Sequence, residues 1–213
     1  MKKNLLAVFV VCSFLLPSIM MGQVVFGVRL ATSSGFGNMG PTNMQGAHFG
    51  FDLSDKLTLL GGFDFTKFTI ENGTKMAVSS YTPFGGIKYY IKERDDGLVT
   101  PYFRGDFFKT ISSWPNMGNS VLQLVSGLLG PSQVSMTKSE TEEFLKEIMS
   151  PWGFTIAFGA EYLFTDAFGL GGEFGLRSGF SKAEVNVSEI GGVSTTDASF
   201  HDTYVALTVN FAL

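Results

Sequence analysis

The sequence predicts an all-β chain: a membrane-spanning, antiparallel, eight-stranded up-and-down β-barrel with a partly helical insertion between the fifth and sixth strands. Three observations carry that expectation. The last stretch alternates without error from Thr203 on, with Val205, Leu207, Val209, Phe211 and Leu213 on one face and Tyr204, Ala206, Thr208, Asn210 and Ala212 on the other. A period of two is a strand with one apolar and one polar-or-small face. The same dyad recurs about seven times upstream, and the final strand's apolar face has no partner helix in sequence. The faces are also inverted: Arg29, Asp52, Asp64, Lys88, Arg104, Asp106, Glu161, Glu173 and Arg177 share a side with the glycines, opposite the Phe, Leu and Val positions. A water-soluble sandwich turns its apolar side inward, whereas a closed barrel in lipid turns it outward.

Composition and targeting agree. The chain has 213 residues and a net charge of −4, with 22 Phe and 26 Gly. Phe suits an apolar outer band, and Gly lets neighbouring strands and lumen side chains pack closely. The mild acidity gives no sign of nucleic-acid binding. Residues 1–22 read as a signal peptide, with Lys2 and Lys3 before the apolar run Leu5–Leu16 and Pro17 ending it. Cleavage is expected before Gln23, which leaves 23–213 as one barrel domain in the bacterial outer membrane. Cys12 lies inside the signal, so the mature chain offers neither disulfides nor thiolate metal sites. No later run of ~20 apolar residues exists to form a helical span.

The strands follow in order. The first, Val24–Ala31, turns Val25, Gly27, Arg29 and Ala31 inward. Gly35–Gly40 then spells GxGxxG, but no helix begins there, so a loop is expected. The second strand, Gln45–Leu53, puts His48, Gly50 and Asp52 inside, and Ser54-Asp55-Lys56 turns tightly. The third, Leu57–Ile70, shows a parity change near Thr66–Phe68 that fits a bulge or the end of the membrane band. Asn72-Gly73 marks the next turn. The fourth, Tyr81–Lys92, contains Pro83, which cannot donate to a ladder and belongs near a rim. The fifth is Pro101–Ile111, the sixth Trp152–Phe164, the seventh Phe168–Phe180 with an extension toward Ser188, and a loop Ile190–Ser199 leads to the eighth. Connections after even-numbered strands are short and those after odd-numbered strands longer, which places short turns and both termini in the periplasm.

The insertion Pro115–Pro151 is too long for an ordinary connection. Asn119–Leu129 has helical spacing and stops at Gly130-Pro131. Ser139-Glu140-Thr141-Glu142 reads as a capping box opening a helix with Phe144, Leu145, Ile148 and Met149 on one side. Either the two helices pack on each other and sit on the rim, or they form a docking surface for a protein partner or a lid over the lumen.

An eight-stranded barrel has room for little more than its own side chains, and buried charges must pair. The inward set, with His48, therefore predicts a salt-bridged plug, and a narrow channel for small solutes is the alternative. Lys67 and Lys109 project outward at the loop ends of their strands, either snorkelling or touching anionic lipopolysaccharide. Trp114 and Trp152 flank the insertion at the level of an outer aromatic girdle. Hydrolytic activity is not expected: Ser199, His201 and Asp202 are close in sequence, but His201 and Asp202 point to opposite faces of a strand. No metal spacing is present and no cofactor is expected.

With its signal, its strand dyads, Gly159-Ala160-Glu161, Gly171-Gly172-Glu173 and its final strand, the chain resembles the small OmpA-like and OmpX-like eight-stranded outer-membrane barrels over 23–213. The final strand, with Val209, Phe211 and Leu213, looks like the terminal signal read by the barrel-assembly machinery. The resemblance implies a monomer in outer-membrane lipid and lipopolysaccharide. It further implies roles in membrane integrity, adhesion, complex assembly or occasionally small-solute passage.

Overall fold

The computed structural model describes residues 23–34, 42–72, 74–94, 97–113, 138–187 and 192–212. The signal peptide, the Gly35–Gly40 loop, Trp114, the helix expected over Asn119–Leu129 and Leu213 lie outside them. The described strands are β1 (Val24–Ser33), β2 (Thr42–Ser54), β3 (Leu57–Asn72), β4 (Thr74–Tyr90), β5 (Val99–Lys109), β6 (Ile111–Ser113), β7 (Trp152–Thr165), β8 (Phe168–Val187) and β9 (Gly192–Ala212), with one helix, α1 (Lys138–Ile148). Each pairs antiparallel with its neighbours, β1 pairs with β9, and β3 pairs with β4, so the sheet closes on itself.

Nine strands make eight staves because of Pro83. β4 pairs with β5 up to Phe84 opposite Phe108, and with β6 from Tyr81 opposite Ile111. Both segments keep one register. Only the rungs at Thr82 and Pro83 are missing, because proline has no N–H to give. β6 is thus the continuation of β5, and Thr82 Oγ1 meets Thr110 Oγ1 across the gap at 3.1 Å.

The faces are inverted as the dyads require. Ile156 and Leu207 are each 60% exposed on the outside, while Asp64 is 2% and Glu173 4% exposed within. Rings gather at both ends of the outer belt. Trp152 packs with Phe107 and Phe180 at one end, and Phe164 and Phe211 flank Phe168 at the other. These are the heights at which amphipathic rings meet lipid headgroups.

Three expectations are settled or corrected by the described residues. The parity change near Thr66–Phe68 involves no bulge, because β3 and β4 stay in register from Leu57–Tyr89 to Asn72–Thr74. The apolar pattern lapses there because the strands continue past the lipid, where neither face must be greasy. For the same reason β4 starts at Thr74 rather than Tyr81, and β9 starts at Gly192 where a loop was expected. Beyond Phe180, the last residue of β8 with a β7 partner, β8 runs on to Val187 paired only with β9.

The third concerns α1. It lies against β8, and Phe144 (4% exposed) and Leu145 (1%) are buried, with Ile148 and Met149 half-buried. This apolar face is occupied within the chain and is not presented to a partner. The end of α1 is tied to the β5–β6 stave: Lys109 Nζ donates to the Ser150 carbonyl at 2.6 Å, and Ser112 Oγ donates to the Met149 carbonyl.

Candidate functional site

The site is the lumen, which holds three tiers of charge. Nearest the short turns, Asp52 on β2 pairs with Arg94 from the β4–β5 connection and accepts from Thr58 Oγ1 at 2.5 Å. Arg94 also lies over the Tyr90 ring, 4.8 Å from its centroid.

Glu161 on β7 centres the second tier. It accepts from Lys88 Nζ at 2.8 Å, Tyr90 Oη at 2.6 Å and Asn210 Nδ2 at 2.5 Å. The Lys88 ammonium sits 4.0 Å from the centre of the Tyr102 ring. Because Asn210 donates to Glu161, its Oδ1 faces His48 Nε2 at 2.9 Å. An amide oxygen only accepts, so the His48 proton is on Nε2. Gly27 lies between these two residues in register, and a Cβ there would strike Asn210 Oδ1 and His48 Nε2.

Glu173 on β8 is the hub of the third tier. It accepts from Arg29 at 3.2 Å, Arg104 at 2.8 Å, and the hydroxyls of Tyr102 and Tyr204 at 3.1 Å each. Arg29 also pairs with Asp64, and Arg104 with Asp106 at 2.7 Å. Arg177 reaches Asp64 at 3.5 Å and lies over Phe108. Phe84 has Arg29 over its ring at 5.1 Å and Arg104 at 4.8 Å. Tyr102 reaches Glu173 because its in-register neighbour on β7 is Gly159, whose Cβ would come within 2.6 Å of the hydroxyl.

All ten residues expected in the lumen face it, and nine of them, all but His48, form ion pairs. Period-two reading missed Arg94, which sits in a turn. Arg94 evens the balance, giving five bases (Arg29, Lys88, Arg94, Arg104, Arg177) against five acids (Asp52, Asp64, Asp106, Glu161, Glu173). The tyrosines and Asn210 were legible as inward positions but not as hydrogen-bond donors to the two glutamates.

Toward the loop end lies a cavity of about 90 Å³, lined by hydroxyls that include Thr66, Ser80 and Thr82, with Arg177 and Asp202. Asp202 faces inward and accepts from Ser33 Oγ, whereas His201 faces outward, where its Nδ1 meets Ser178 Oγ at 2.9 Å. Asp202 therefore cannot orient His201. Lys109 is exposed beside Lys146, Lys182 and Trp152, and Lys67 is exposed on β3. In the final strand, Phe211 is outward between Phe26 and Phe168, and Val209 between Val28 and Leu170.

No family model matches the chain, and no curated protein matches it. Solved structures do. The chain is similar to Neisserial surface protein A, at 15% identity and a TM-score of 0.51 over 89% of this chain and 96% of that one. OprG from Pseudomonas aeruginosa aligns at 13% identity and 0.51, over 90% and 96%. The outer membrane protein AlkL, solved in lipid bilayers, aligns at 10% and 0.50, over 90% of each chain. At such identities the likeness is one of fold, and together with the inverted faces it makes this chain a small eight-stranded β-barrel of the bacterial outer membrane.

Proposed function

We propose that this barrel is a structural or adhesive anchor that works through its outer end, its lumen sealed by the tiered ion-pair plug. The plug is the observation that carries the reading. Glu161 and Glu173, with their cationic and phenolic partners, tie β1, β4, β5, β7, β8 and β9 together across the interior. Such a lumen stiffens the wall and leaves the loops as the part that meets other molecules. Contacts belonging to this proposal are a protein partner at the outer loops, lipopolysaccharide phosphates at Lys67 and Lys109, and the barrel-assembly machinery at the final strand. The protein acts as a monomer, with no cofactor and no catalytic step.

Planar-bilayer recording of refolded protein tests it. The plug predicts no steady conductance. Reproducible channels would overturn the reading in favour of a narrow porin-like pore.

A further inference from the structure

The outside of the barrel carries a groove whose charges take no part in the plug. β7 begins at Trp152, opposite Phe180, while β8 runs on through Ser181 and Lys182. α1 stands against β8 without joining the sheet, and side chains of α1, β5, β7 and β8 line a groove of about 690 Å³. Lys109 and Lys182 belong to its barrel wall, and Glu142, Glu143, Lys146 and Glu147 to its helix wall. Three bases thus face three acids. Trp152 lines the same groove and packs with Phe107 and Phe180 at the end of the outer belt, so the groove opens at the height of lipid headgroups. The five lumen bases are all ion-paired. Here Lys146 and Lys182 make no ion pair among the described residues, although Asp197 stands across from Lys182 in register. Lys109 gives one of its three donors to the Ser150 carbonyl. Glu142 and Glu147 have contacts of their own in the chain, whereas Glu143 is exposed and makes no ion pair among the described residues.

We infer that this groove binds the phosphoethanolamine headgroup of a membrane lipid. The phosphate lies between Lys109 and Lys182, beside the rings, and the ammonium points away from the bilayer toward Glu143 on α1. The lipid's chains run down over the exposed rings of Phe107 and Phe154. The balance of charge selects the class. A headgroup that is purely anionic meets as many glutamates as lysines and gains little from the sum. A headgroup that carries both charges finds a partner at each end. A primary ammonium donates three hydrogen bonds to acceptors such as carboxylates, whereas the methyls of a choline offer no N–H. Exposed pairs of this kind are weak singly, and they strengthen where lipid lowers the local dielectric. The inference rests on the proposal that Lys109 meets lipid phosphate. It adds Lys182 as a second phosphate contact and Glu143 as the group that selects the amine.

The test uses full mature protein carrying Trp114→Phe, which leaves Trp152 as its one tryptophan, refolded in maltoside micelles that contain no phosphate. Lipids with brominated chains quench a tryptophan they touch. They are added as phosphatidylethanolamine, phosphatidylcholine, phosphatidylglycerol or phosphate-free diacylglycerol. Phosphatidylethanolamine should half-quench Trp152 at a mole fraction about threefold or more below the other three. Glu143→Gln should bring it to the level of phosphatidylcholine, and Lys109→Gln with Lys182→Gln to that of diacylglycerol. Circular dichroism and heat-modified gel mobility report that these variants fold. The inference is overturned if phosphatidylcholine quenches as readily as phosphatidylethanolamine, or if Glu143→Gln changes nothing. It is also overturned if phosphatidylglycerol matches or exceeds phosphatidylethanolamine, an outcome that leaves the contact of Lys109 with lipid phosphate standing. If diacylglycerol matches all three phospholipids, both fall.

Discussion

Replacing Glu173 with Gln keeps the volume and removes one charge from the centre of the lumen. Glu173 joins β8 to Arg29 on β1, to Arg104 and Tyr102 on β5, and to Tyr204 on β9. The two tyrosines can still donate to the amide oxygen, so the loss falls on the two arginines. Charge-assisted hydrogen bonds contribute about 1.5–3 kcal/mol each. The two losses share one acceptor and are not additive. Breaking a buried pair from one side costs about 3–5 kcal/mol, and that is the expected destabilisation. Urea unfolding in lipid vesicles, followed by tryptophan fluorescence, measures it. A second variant checks the cause. Adding Arg29→Met removes the surplus cation and leaves Asp64 with Arg177 and Arg104 with Asp106, so the double variant should be more stable than Glu173→Gln alone. A Glu173→Gln protein within about 1 kcal/mol of the parent would refute the hub, as would a double variant that is weaker still.

Arginine at Phe158, midway along β7, should cost about 2–4 kcal/mol in the same assay, and at Leu98, in the short turn between β4 and β5, about 0–1 kcal/mol, if the lipid band lies where the two groups of rings place it. Gly27→Val should destabilise by about 1–3 kcal/mol, because the added carbons must part His48 from Asn210; an NMR spectrum in which His48 keeps its hydrogen-bonded Nε2 proton would contradict this. Phe144→Ala should cost about 3–5 kcal/mol of local packing, seen as faster protease cleavage within α1 while the urea midpoint of the barrel stays unchanged.

The strands were legible because lipid on one side and a crowded polar interior on the other leave a strict period of two, and parity then assigns each side chain a face. Parity gives neither height nor neighbour. That Asp52 meets Arg94 and Glu161 meets Asn210 follows from register and closure, which bring together residues 42 and 49 positions apart. Arg94 was invisible because a turn has no period. Where the strands leave the lipid, as in β4 before Tyr81 and β9 before Thr203, the pattern blurs although pairing continues, so the strands were read too short. The apolar side of α1 was recognised, but sequence cannot say whether Phe144 and Leu145 are covered by the chain's own β8 or by another molecule. Asp202 neighbours Ser199 and His201 in sequence, whereas its surroundings are set by Ser33 and Arg177 on the strands either side.

The unequal strand lengths set how far the protein reaches. The segment Ser181–Val187 runs on past the last β7 partner, and at ~3.3 Å per residue that is about 23 Å of ribbon. Inclined at ~45°, it rises ~16 Å over the adjoining rim. The β8–β9 ribbon therefore stands above its β7 neighbour, and a short epitope grafted into the connection it carries would report, by antibody binding to intact bacteria, whether this end of the barrel faces the outside of the cell.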